Sequence, residues 1–211
     1  MNGYGTNAGS MNNAGTFNID ASMTFTNQGT LLNTGTINAN GFLVNDGGTI
    51  AGAGMINGQL EDAGILQPGN SAGVLVVTGN LLKTGGSLEI ELGGTFDGGG
   101  DNSQTEFDWI EVGGDVELAG ILDVTFINGF DISGFMSFEI IDVGGSLTGE
   151  FDGLAEGGLV GQFGATDLFI TYAGGDGNDI VLFGTGAVPE PSSVMVLAFT
   201  LLLRSRRRRR A

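Results

Sequence analysis

The chain has no cysteine and no histidine among its 211 residues. That excludes disulfides, Ser–His and Cys–His catalytic pairs, and zinc sites of the ordinary His/Cys type. Proline is nearly missing as well, with three in all. Positive charge is the scarcest property of the body. Seven Lys and Arg stand against 24 Asp and Glu, and six of the seven are Arg204, Arg206, Arg207, Arg208, Arg209 and Arg210. Lys83 is the only other cation. A body this acidic repels nucleic acid and anionic headgroups, so no nucleic-acid partner is expected.

Glycine is abundant, at 41 residues. An apolar content of 41% allows a core, which argues against plain disorder. The glycines keep no period of three, which excludes collagen. Instead they fall six apart at Gly29, Gly35, Gly41 and Gly47. Leu31, Ile37 and Leu43 each follow two positions later. After a one-residue slip, Gly48–Ile50 and Gly54–Ile56 resume the pattern, and Gly15–Phe17 precedes it. Asn-x-Gly-Thr recurs at Asn13–Thr16, Asn27–Thr30 and Asn33–Thr36.

A spacing of six keeps side chains on one face of a strand and scatters them around a helix. The pattern therefore predicts very short strands joined by Gly/Asn corners. Such units bury nothing alone and must stack, three to a coil of about 18 residues. A meander of β-hairpins is the alternative. From residue 74 the strands lengthen and alternate: Leu88, Ile90 and Leu92 against Glu89 and Glu91, Val116 and Leu118 against Asp115 and Glu117. One face is apolar and the other acidic. The segment Phe96–Asp108 reads as a surface loop, and no window before the tail reads as a helix.

The stretches Leu66–Gly94, Phe107–Val124 and Leu168–Leu182 resemble, in that order, the C-terminal passenger region of autotransporter-type β-helix proteins. The resemblance implies an all-β fold, a right-handed parallel β-helix (a pectin-lyase-like β-solenoid), and the handedness comes from the family alone. It extends to no outer-membrane barrel. The expected organisation is short-rung solenoid over 1–73, longer-strand β-helix over 74–183, a linker at 184–187 and a tail at 188–211.

The tail has three parts: Val188-Pro189-Glu190-Pro191, an apolar run from Val194 to Leu203, and the arginines. Pro-Glu-Pro favours an extended linker. The apolar run predicts a short hydrophobic helix of about 18 Å counted from Ser192, short of a full span of about 20 residues. Snorkelling arginines lengthen its reach and hold it on the cytoplasmic side. The arrangement closely resembles the PEP-CTERM sorting signal. That resemblance implies recognition of Val188, Pro189, Glu190 and Pro191 by an exosortase-type membrane protease, with Arg204 and Arg206–Arg210 as the membrane stop. It further implies an inner-membrane-anchored precursor in a Gram-negative-type bacterium, a mature cell-surface or extracellular product, and association with extracellular polysaccharide. The opening MNGYGTNAGS has neither the charged nor the apolar region of a signal peptide. The chain is therefore expected to start within the repeat.

No enzyme activity is expected. The pairs Glu89/Glu91 and Asp115/Glu117 read as a solvated acidic face rather than glycosidase carboxylates. A β-helix polysaccharide lyase needs basic side chains, and the body offers only Lys83. No cofactor is expected beyond calcium. Gly174–Leu182 matches one copy of the calcium-binding nonapeptide, with Asp176, Asn178 and Asp179 as the oxygen ligands, where the true repeat needs tandem copies. A carbohydrate-active enzyme and a calcium-dependent adhesin are thus the alternatives to a structural protein.

Overall fold

The computed structural model describes residues 3–185 except Asn70, Ser133 and Ala165. The described residues form an all-β structure of twenty strands with no helix, so none is long and apolar enough to cross a membrane. The hydrophobic helix expected in the tail lies outside the described residues.

Strands β1 (Gly3–Asn7), β2 (Ser10–Asn13) and β3 (Thr16–Ile19) make the first coil. The chain then returns above itself as β4 (Met23–Asn27), β5 (Thr30–Asn33) and β6 (Thr36–Asn45). β6 turns a corner and starts the next coil, which continues as β7 (Thr49–Ala51) and β8 (Met55–Asp62). Further turns carry β9 (Ile65–Gln67), β10 (Val74–Val77), β11 (Leu81–Lys83), β12 (Ser87–Leu92) and β13 (Trp109–Val112). β14 (Val116–Leu118), β15 (Ile121–Phe126), β16 (Ser137–Val143) and β17 (Leu147–Gly149) complete the stack. All these ladders are parallel, an arrangement compatible with a β-helix or solenoid.

Alternation sends every second side chain inward, and the parallel register stacks equivalent side chains into three columns. One runs Met11, Leu31, Ile50, Leu66, Leu88, Leu122. The second runs Phe17, Ile37, Ile56, Val77, Val112, Val143. The third runs Phe25, Leu43, Leu60, Leu81, Val116, Leu147. The five apolar residues picked out by the six-residue spacing, Leu31, Ile37, Leu43, Ile50 and Ile56, are all buried in these columns. Each buried aliphatic side chain of this kind stabilises the fold by about 1.5–3 kcal/mol.

The coil is close to the expected size at first, since Leu31 sits beneath Ile50 and Ile50 beneath Leu66. It grows where Leu88 lies beneath Leu122. The growth comes from two loops, over 93–108 and 127–136, inserted at corners without disturbing the register.

Corners explain the glycine content. A Cβ on Gly29 would land on the Gly9 carbonyl, and one on Gly35 on the Gly15 carbonyl, both well inside 3.0 Å. The column continues through Gly48, Gly64, Gly86 and Gly120, each against the corner below. The corner asparagines stack too. Asn7 Nδ2 donates to Asn27 Oδ1 (2.7 Å), Asn27 Nδ2 to Asn45 Oδ1 (2.8 Å), and Asn45 Nδ2 to Asp62 Oδ1 (2.6 Å). A second ladder joins Asn13 Nδ2 to Asn33 Oδ1 (2.8 Å). Buried amides need such partners, and each rung supplies the next.

Parallel stacking stops at β17. β18 (Leu159–Phe163), β19 (Thr166–Gly174) and β20 (Asp179–Gly184) form an antiparallel meander, with β20 paired antiparallel to β16. The expectation of parallel rungs up to residue 183 is corrected here. The turn at 175–178 between β19 and β20 is too short for a parallel crossover, which needs a dozen residues or more.

Candidate functional site

The sorting residues Val188, Pro189, Glu190 and Pro191, and the stop residues Arg204 and Arg206–Arg210, all lie outside the described residues. The candidate calcium ligands Asp176, Asn178 and Asp179 lie in and beside the turn between β19 and β20. Gly175 and Gly177 take positive φ there (49° and 119°), which shapes the turn. The Asp179 carboxylate and the Asn178 amide nitrogen bond to backbone, while the Asp176 side chain is exposed. Asp179 Oδ1 accepts from the Val143 N–H at 2.8 Å, and its Oδ2 accepts from the Asp176 N–H at 3.2 Å. Asn178 Nδ2 donates to the carbonyls of Val143 (2.8 Å) and Gly145 (2.5 Å). The motif thereby fastens the antiparallel meander to the corner after β16.

Acids gather around this clasp. Burial raises the Glu139 carboxyl above the usual range, and the charges of Asp179, Asp142, Asp97 and Asp176 add to it. Burial also raises Asp142, again helped by Asp179 and Asp176. Asn178 Oδ1 is buried without a hydrogen-bond partner. Among the described residues, no three acidic side chains are grouped so as to hold a metal ion.

Two clefts flank the acidic face. The first, about 220 Å³, is lined by Gln67, Ser71, Glu89, Glu91 and Asp108 among others. Gln67 Nε2 donates to Glu89 Oε2 at 2.6 Å. Asp108 is buried, and its Oδ1 and Oδ2 accept the N–H groups of Gly73 (2.8 Å) and Glu91 (3.0 Å). Burial pushes this carboxyl up to about 8 against those two donors, with a small push from the Glu91 charge. Asp108 thus ties three separate segments together. The 96–108 stretch, expected as a surface loop, does carry no strand, yet its last two residues, Phe107 and Asp108, are buried. Alternation says nothing about Asp108, because the residue precedes β13; its place between two aromatics, in Phe107-Asp108-Trp109, is the one local signal that could have found it. The second cleft, about 290 Å³, is lined by Thr95, Asp97, Phe107, Trp109, Ser137 and Glu139, and the Trp109 Nε1 is buried without a partner.

Glu89 and Glu91 face outward on β12, as the alternation predicts, with Leu88, Ile90 and Leu92 buried. Asp115 just before β14 and Glu117 within it are both exposed. Ser146 donates its N–H and hydroxyl to Asp115, which holds that carboxyl below the usual range.

Lys83, the one cation among the described residues, is fully buried. Its Nζ lies 2.5 Å from Asp62 Oδ2 and also donates to the Gly85 carbonyl at 2.9 Å. The outer surface of the described body therefore carries carboxylates and no ammonium or guanidinium group. Such a surface favours cations or neutral polymers and disfavours polyanions.

The fold is thus all-β with long parallel ladders closed by an antiparallel meander. No family model, no curated protein and no solved structure matches the chain.

Proposed function

We propose that the chain is an exported cell-surface or extracellular-matrix protein with a structural and adhesive role, bearing a C-terminal sorting signal read by an exosortase-type membrane protease. Its body is a right-handed parallel β-helix and performs no catalysis. The observation that carries the proposal is charge segregation. Six arginines follow an apolar run behind Val-Pro-Glu-Pro, while the body's only lysine is buried. In a membrane-inserted precursor, a cation cluster directly after an apolar run is held on the cytoplasmic side. The precursor sits in the inner membrane of a Gram-negative-type bacterium until it is cut near the motif. A stack of rungs in register suits a spacer or scaffold, and the acidic exterior restricts any polysaccharide partner to neutral or basic polymers.

The test is cell fractionation combined with intact mass of the native product. The expected product lies outside the cytoplasm and lacks Arg206–Arg210. A product that stays wholly in the cytosol with its arginines intact overturns the proposal.

A further inference from the structure

We infer that Asp62 and Lys83 form a self-reacting modification site: the Lys83 amine condenses with the Asp62 carboxyl to give an amide, a covalent cross-link between successive coils. The two residues are direct partners in the register of β8 and β11, so folding alone brings them together. Lys83 Nζ lies 2.5 Å from Asp62 Oδ2, and solvent reaches neither side chain. An amine and a carboxyl held this way meet at an effective concentration that free reactants never attain. Lys83 is the only lysine of the chain, so no second lysine competes for the site. The surroundings also favour neutral reactants over ions. Burial raises the Asp62 carboxyl above its ordinary range, against the pull of Lys83 and of the hydrogen bonds from Asn45 and Gly64. Condensation removes both charges and with them the desolvation cost that a buried ion pair carries.

In the step, one proton passes from Nζ to Oδ2, which leaves an amine beside a carboxylic acid. The nitrogen lone pair adds to Cγ, and the Cγ–Oδ2 bond then breaks. Oδ2 departs as water, carrying that proton and a second one from the nitrogen. No oxidant, reductant or cofactor takes part. Negative charge gathers on Oδ1 while nitrogen adds to Cγ. That oxygen already accepts from Asn45 Nδ2 at 2.6 Å and from the Gly64 N–H at 3.2 Å. Two donors fixed on the oxygen where charge develops act as an oxyanion hole.

The product fits the place where it is made. Nζ keeps one hydrogen, and the Gly85 carbonyl already accepts from Nζ at 2.9 Å. Oδ1 keeps both of its donors. Each polar atom of the new bond therefore has a partner, as buried polar atoms require. The column of Asn7, Asn27 and Asn45 side-chain amides gains a fourth member at Asp62. Burial keeps bulk water from hydrolysing the bond, and the closed loop over 62–83 locks one coil of the shaft to the next.

The test is intact mass of the purified, folded full chain, followed by peptide mapping. The wild type is expected to be lighter than its sequence by one water. Cleavage after glutamate releases residues 62–89 as one peptide, because Glu61 and Glu89 bound it. That peptide should carry the whole loss, resist trypsin after Lys83, and yield no fragment ions between 62 and 83, since both ends of that stretch stay tied. Lys83→Met is expected at its full mass. A wild type at its full sequence mass overturns the inference. So does a water lost elsewhere, as when an aspartate cyclises onto a following glycine, and so does a loss that persists in Lys83→Met.

Discussion

Lys83 Nζ lies 2.5 Å from Asp62 Oδ2, and both side chains are completely shielded from solvent. The pair stands at the top of the Asn7–Asn27–Asn45 ladder, where Asn45 Nδ2 donates to the other oxygen of Asp62. An ion pair thus continues a column of amides. Replacing Lys83 with Met leaves a buried carboxylate alone and is expected to cost about 3–5 kcal/mol at neutral pH. The loss should shrink at lower pH, because burial already raises the Asp62 carboxyl and protonation relieves it. Replacing both residues with Asn restores an amide column and should recover most of the stability. Urea denaturation of the three proteins at two pH values checks this.

Corner glycines give a paired prediction. Gly35→Ala drives a methyl group into the Gly15 carbonyl and is expected to destabilise by about 2–3 kcal/mol. Gly15→Ala, with open space around it, should be neutral or stabilising by up to about 1 kcal/mol. Thermal unfolding of the two variants separates these outcomes.

Stability should fall as pH rises from about 4 to 8. Asp108 ionises near 3.8 when unfolded and near 8 in the fold. Between those values the fold keeps a proton that the unfolded chain has released, so each step up in pH favours unfolding. Glu139 and Asp142 are raised and act in the same direction. Asp115 is lowered and opposes them only in more acidic solution. Asp108→Asn should flatten the dependence of the melting temperature on pH across this window. A variant with the wild-type slope would contradict the assignment to Asp108.

Asp179→Ala removes the acceptor for the Val143 N–H and should cost about 1–3 kcal/mol. If the clasp role is complete, the loss is the same with and without added calcium. A melting temperature that rises with calcium in the wild type but not in the variant would instead support the calcium-dependent adhesin.

If the proposed sorting signal operates, changing Arg204 and Arg206–Arg210 to Glu should abolish surface delivery, because the positive-inside rule no longer holds that end on the cytoplasmic side. Protease accessibility in spheroplasts reports the result, and unaltered surface delivery would contradict the sorting proposal.

Much of the stack was legible from periodicity. A spacing of six located Leu31, Ile37, Leu43, Ile50 and Ile56 on the core columns because strand side chains alternate and coils repeat. Alternation also placed Glu89 and Glu91 outside. The loop over 96–108 was legible as well, from its Gly, Asp and Asn content, whereas the antiparallel ending was not, since strand content says nothing about strand direction. The Asn45–Asp62–Lys83 contacts and the Asp108 tie depend on residues brought together by the register, many positions apart, with no local signature. Lys83 stood out only by its rarity.

Burial of Lys83 has a practical corollary. Trypsin cuts after lysine and arginine, and between residue 3 and residue 185 that side chain is the sole target. Folded, the shaft gives the enzyme no purchase. Unfolded with the Lys83 amine free, it parts once, after Lys83, into two very large peptides, so a routine tryptic digest would report little of this protein however much of it a cell had made.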